Sequence, residues 1–300
     1  MRSKLKRFAT GVVSFVAVMT VLHFPFSVDG PKIPTELIHD ADSFYEAAYT
    51  STEDGADSKY VNTAQKAGHL EDIEPRLRKF VAEHHLQSAR ALEVGAGSGT
   101  LQDVVDDYTG LDIASSAARF FHKPFVHGSA TDLPFEDDSF DVVWSIWTLE
   151  HVPNPERAFA EMRRVVGNGG RLFLYPAWNN PTWAPKGYPV RPDNTLTATE
   201  IVAKYSLLIR EADWFKTAHR IPARALRKLA SMTGRTQLRY HTMEGNFDTY
   251  WMPDSDAINS IDCYEAALWH QTRGDEVTVL GKDAGGVFGG CGPVVVRVVK

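Results

Sequence analysis

Between residues 70 and 176 the apolar positions follow two rhythms that take turns along the chain. Over Leu70 to His84, Ile73, Leu77, Phe80 and Val81 fall four, three and one apart, the spacing of one helical face. Ala91 to Val94 then predicts a short buried strand. The pattern continues with a short helix at Leu101 to Tyr108, a strand ending at Asp112, a small-residue helix at Ser115 to Phe121, and strands at Pro124 to His127 and Phe140 to Ile146. Next come a helix at Pro155 to Val166, with Phe159, Met162 and Val166 on one face, and a strand at Arg171 to Tyr175. Strands alternating with helices of this length predict a parallel sheet covered on both faces, an α/β architecture. The rhythm breaks from Pro176 to Asp256. It returns with a helix at Ala257 to Gln271 and two β-rich runs, Glu276 to Leu280 and Val294 to Val299. Only the loop Gly281 to Gly292, with six glycines in twelve residues, joins these runs, so they pair as an antiparallel hairpin.

Ahead of this region, residues 31–69 are acidic, small and polar and read as a linker with a short helix around Ser43 to Tyr49. Before them, Phe8 to Val28 holds no Asp, Glu, Lys or Arg over 21 residues, with its most apolar part at Val12 to Phe24. That fits a membrane anchor or a signal-peptide core. The chain therefore divides into a basic, apolar head at 1–30, a linker at 31–69 and a domain at 70–300 with an insertion at 176–256.

Composition is that of an ordinary globular domain, 43% hydrophobic and 23% charged, but charge is unevenly spread. Residues 1–30 hold Arg2, Lys4, Lys6 and Arg7 against Asp29 alone, and the remainder holds 28 basic against 37 acidic residues. An acidic body without a basic stripe argues against nucleic acid as partner. Only Cys263 and Cys291 occur, with no His or further Cys at ligand spacing, so neither a zinc site nor a disulfide framework is expected.

Candidate chemistry concentrates in Glu93-Val94-Gly95-Ala96-Gly97-Ser98-Gly99, between the first strand and the following element. Glycines there let backbone turn tightly and approach a ligand. The spacing is G-x-G-x-G; Thr100 stands where a dinucleotide fingerprint has its third glycine. Asp112 ends the next strand, where a carboxylate can accept from a ribose. Asp132, in Ala130-Thr131-Asp132-Leu133-Pro134-Phe135, can accept from an exocyclic amine. At the end of the fourth strand stand Trp147, Glu150 and His151.

These stretches, from ALEVGAGSGT through HGSATDLPFEDDSFDVVWSIWTLEHVPNP to Gly169-Gly170, resemble the class I S-adenosylmethionine-dependent methyltransferases, in particular the type 11-like branch acting on quinones, lipids and metabolites. The resemblance implies a Rossmann-like, seven-stranded, mostly parallel sheet with an antiparallel C-terminal hairpin. It implies that Gly95, Gly97 and Gly99 pack against the methionine part of S-adenosylmethionine, and that Glu93 contacts its amino group. Asp112 would hold the ribose, and Asp132 with the Leu133 backbone would read the adenine. Trp147 would line the cofactor pocket. His151 and Glu150 are the candidate catalytic groups for an acceptor that must lose a proton. The aromatic and basic residues of 176–256, among them Trp178, Trp183, Tyr188, Trp214, Phe215, Tyr240, Phe247 and Trp251, would form a lid over a small-molecule or lipid-like acceptor. A non-catalytic scaffold of the same fold and a nicotinamide-dependent oxidoreductase are the alternatives. The N-terminal segment implies membrane association, with the body facing the cytosol, where the cofactor is made; export or organelle targeting is the alternative.

Overall fold

A computed structural model describes residues 4, 6–11, 13–15, 35–50, 60, 62, 66, 72–249, 251–280 and 286–300. Most of the Phe8 to Val28 run, much of the linker and the start of the Gly-rich loop lie outside these residues. Among the described residues no helix is long and apolar enough to cross a membrane.

The strands of the main sheet are β1 (Ala91–Val94), β2 (Tyr108–Asp112), β3 (Phe125–His127), β4 (Phe140–Ile146), β5 (Val166–Tyr175), β8 (Glu276–Val279) and β9 (Val294–Arg297), in the order β3-β2-β1-β4-β5-β9-β8. All neighbours pair in parallel except β9, which runs antiparallel to β5 and β8. The expected Rossmann-like sheet and its terminal hairpin are present. A separate ribbon pairs β6 (Tyr240–Thr242) with β7 (Asn259–Ile261).

Helices are α1 (Thr35–Thr50), α2 (Ile73–Glu83), α3 (Pro155–Val165), α4 (Ala198–Arg210), α5 (Asp213–Ser231) and α6 (Cys263–Gln271). The Ile73, Leu77, Phe80 and Val81 face of α2 packs with Leu101, Val104 and Trp144 on one side of the sheet. Phe159 and Met162 of α3 join Trp269 of α6 on the other. α3 begins cleanly because Asn154 accepts from the Arg157 N–H at 3.0 Å and Pro155 needs no donor.

Three elements depart from expectation. Leu101 to Tyr108 is a run of turns rather than a helix: Val104 N–H bonds Leu101 at 3.1 Å, and Asp106 N–H goes to Gln87 at 2.9 Å. Few residues remain after the glycine turn, and Asp103, Asp106 and Asp107 would crowd the negative end of a helix dipole. Ala257 to Gln271 splits, its first part pairing as β7 and α6 starting only at Cys263, behind an Asp262 side chain that accepts from Tyr264 N–H at 3.1 Å. Third, Cys263 and Cys291 form a disulfide, Cα to Cα 5.7 Å, contrary to the expectation from spacing. The fold closes a gap of 28 residues that no local pattern announces.

Candidate active site

Parallel strands leave a crevice where the strand order reverses, here between β1 and β4. The turns after both strands border a cavity of about 850 Å³. Its floor is the glycine turn, with Asp112 at one side and Trp147, Thr148 and His151 at the other.

The glycine turn is shaped by what surrounds it. Gly95 has φ +77°, and a Cβ there would stand 2.2 Å from Thr148 Cγ2. Gly97 has φ +52°, and a Cβ would come within 2.9 Å of the Tyr49 hydroxyl across the cavity. Asp112 is buried; its Oδ2 accepts from Gly97 N–H at 2.8 Å and its Oδ1 from Ala114 N–H at 3.0 Å. Burial pushes its carboxyl pKa up, against the pull of those amides. Trp147 adopts φ +50°, rare for a bulky side chain, with its N–H bound to Tyr175 O at 3.0 Å.

Four of the residues expected at the cofactor do not line the cavity. Glu93 does not line the cavity; it lies beneath the turn, 4% exposed, and its Oε2 accepts from the Tyr108 hydroxyl at 2.5 Å. Burial pushes its pKa up to about 8 despite that bond. Gly99 is also outside the lining and faces Gln102 and Phe121. Asp132 is exposed. Leu133 has both backbone groups engaged, its N–H by Glu161 at 3.2 Å and its carbonyl by Arg164 at 3.0 Å. The wall beyond β3 is built instead by Gly128, Ser129, Ala130 and Thr131.

The roof was not legible beforehand. Among the described residues none of 176–256 lines the cavity; Tyr45 and Tyr49 of α1, with Tyr60, cover it. These tyrosines meet edge to face, Tyr45 to Tyr60 at 5.8 Å and Tyr49 to Tyr60 at 6.2 Å. The insertion's aromatics pack elsewhere: Trp183 and Tyr188 against Leu207, Trp178 into the main core, and Phe247 against Phe44.

What the insertion and the chain after it bring is charge behind His151. Asp256 Oδ2 accepts from the Tyr45 hydroxyl at 2.7 Å and lies 3.3 Å from His151 Nδ1. His151 Nε2 lies 3.9 Å from Oε1 of the buried Glu150. The turn carrying both is locked: Asn259 Nδ2 donates to Leu149 and Val152 carbonyls at 2.8 and 2.7 Å, and Glu150 Oε1 accepts from Ala177 N–H at 3.1 Å. Burial would push His151 down, but Asp256 and Glu150 outweigh it and hold the imidazole pKa above its usual value. Burial raises Glu150 to about 7, opposed by His151.

Residues 92–174 match the family described as Methyltransferase domain. Together with the strand order and the glycine turn at the switch point, that match makes this part of the chain a class I methyltransferase domain. Among curated proteins, demethylmenaquinone methyltransferase of Renibacterium salmoninarum is 37% identical over 106 residues, covering 32% of this chain and 44% of that protein. Fatty-acid O-methyltransferase of Mycolicibacterium smegmatis is 33% identical, covering 34% of this chain and 43% of that protein. Sterol 4-C-methyltransferase of Caenorhabditis elegans is 29% identical, covering 30% and 31%. The chain spans less than half the length of each of these relatives.

Proposed function

We propose that this chain transfers a methyl group from S-adenosylmethionine to a small-molecule or lipid-like acceptor by in-line displacement. The observation that carries the proposal is the cavity at the β1/β4 switch point, floored by Gly95 and Gly97 and flanked by the buried Asp112. A cradle that any Cβ would fill, beside a carboxylate whose oxygens each keep an acceptor position, fits a nucleoside with a flexible amino-acid arm. The three relatives, named for acting on a quinone, a fatty acid and a sterol, support a lipid-like acceptor.

When bound, the cofactor supplies a sulfonium whose methyl is electrophilic. The chain's part is to orient and to exclude water. Gly95 and Gly97 admit the methionine arm, Asp112 takes the ribose hydroxyls, and the Trp147 main chain, held in its strained conformation, shapes the wall between cofactor and acceptor. Tyr45, Tyr49 and Tyr60 close the roof. His151 is the group within reach of an acceptor; Glu150, behind it, is a positioning residue. The nicotinamide alternative loses support, because turns follow the glycines where a pyrophosphate needs a helix N-terminus.

Membrane association belongs to the same proposal. It rests on the N-terminal apolar run and on α4 and α5, where Val202, Leu208, Trp214, Leu226, Leu229 and Met232 are 61% to 84% exposed beside the exposed Lys228 and Arg235. Apolar residues flanked by cations suit an anionic bilayer surface. The body is assigned to the cytosolic side on cofactor supply, and the cystine is the observation that favours the far side.

The test is incubation of the full chain with methyl-labelled S-adenosylmethionine and a lipid extract. Label should enter an extractable product and fall at least tenfold with Asp112→Ala, given about 1.5–3 kcal/mol for hydrogen bonds to a charged group. Cofactor binding without any incorporation would favour the scaffold reading instead.

A further inference from the structure

Behind the cavity wall three carboxylates, Glu150, Asp254 and Asp256, surround one imidazole. Glu150 and Asp256 are each 1% exposed, and His151 keeps only 11% of its side chain accessible. Among the described residues no Lys or Arg forms an ion pair with any of the three acids. Glu150 Oε2, Asp256 Oδ1 and His151 Nδ1 have no exposure and no hydrogen-bond partner. Glu150 Oε2 and Asp256 Oδ1 are thus buried acceptors that no donor of the protein meets, which leaves room for a cation among these acids.

We propose that Glu150, His151 and Asp254 bind a divalent first-row transition ion. One ligand atom from each lies within 4.8 Å of the others, so the three can converge on one ion with movements of about 1 Å. One imidazole nitrogen with carboxylate oxygens is a donor set for Zn²⁺ or Mn²⁺. The surroundings complete it: while Nε2 faces Glu150, Nδ1 faces Asp256, which accepts from Tyr45. With a proton on Nδ1, a small shift of the ring from that 3.3 Å approach would let Asp256 hold the second nitrogen and fix the tautomer and orientation of a ligating histidine. The second acidic group at cysteine positions, Asp262 with Cys263 and Cys291, has no such part, because its sulfurs are bonded to one another. An ion at Glu150, His151 and Asp254 would neutralise the buried acids and fix the ring of His151, which alone of these side chains lines the cavity.

The experiment is calorimetric titration of the chelator-stripped full chain with Zn²⁺ and with Mn²⁺, without S-adenosylmethionine and without reductant, which keeps the cystine closed. One ion per chain is expected. Asp254→Asn and Glu150→Gln should abolish the saturable phase, and Asp256→Asn should weaken it about 10- to 100-fold through the histidine. Circular dichroism confirms that each variant folds. Absence of saturable binding by the unaltered chain, or binding unchanged in folded Asp254→Asn and Glu150→Gln, overturns the site. Because no methyl cofactor is present, failure here is separate from failure of the methyl-transfer reading.

Discussion

Glu93 is the residue whose environment departs furthest from its sequence role. The family resemblance implied that it contacts the cofactor's amino group, and in the structure it lies under the turn with Tyr108 on one oxygen and its pKa raised by burial to about 8. A carboxyl held protonated in the folded chain contributes stability that is full below its ordinary value of 4.5 and is lost as pH rises through 8. Glu93→Gln, which stays neutral, should therefore match the parent near pH 4.5 and exceed it increasingly up to pH 8, by at most about 1.4 kcal/mol per pH unit. Melting temperatures of both proteins across that range check this; parallel curves would mean Glu93 is ionised in place. Gly95, Gly97, Asp112, Trp147 and His151 could be found beforehand because each sits next to a strand end. Tyr45 and Asp256 could not: they are 211 positions apart, and only the fold joins them.

At the scale of elements, α4 and α5 were hidden inside a segment that looked like an aromatic lid. Their aromatic and apolar residues do not reach the cavity, and α5 buries Phe215 and Arg224 while leaving Leu226, Leu229 and Met232 outside. Arg224 holds Asp262 with two bonds of 2.8 and 2.6 Å, tying the helix to the start of α6. This exposed apolar face is the one the proposed membrane contact would use. The full chain should co-sediment with vesicles containing anionic lipid, and Leu226→Glu with Leu229→Glu should reduce the bound fraction several-fold without lowering the melting temperature. Equal binding by the double variant would assign attachment to the N-terminal segment alone. Periodicity could predict α2 and α3, whose apolar faces meet the sheet. It failed for 101–107, where chain length and acidic residues decide, and for the start of Ala257 to Gln271, where pairing with β6 overrides a helical pattern.

For the whole molecule, the cystine couples two questions. It closes a 28-residue interval between α6 and β9, and removing it should cost about 3 kcal/mol. Cys263→Ser with Cys291→Ser should lower the melting temperature of the oxidised protein; an unchanged value would mean that the bond constrains little. In intact membrane vesicles, a cytosolic body predicts digestion by added protease and labelling of both cysteines by a thiol reagent in cells. A shielded, unlabelled body would refute that orientation and put the chain in an oxidising compartment. The sheet order, the glycine turn and the family match agree on the class of the domain, and the proposal that the cavity takes the methyl cofactor rests on them. Calorimetric titration of the full chain with S-adenosylmethionine, S-adenosylhomocysteine and NAD tests this most directly. Saturable one-to-one binding of both sulfur ligands, with none of NAD, is expected; binding of NAD with no affinity for either sulfur ligand would contradict it.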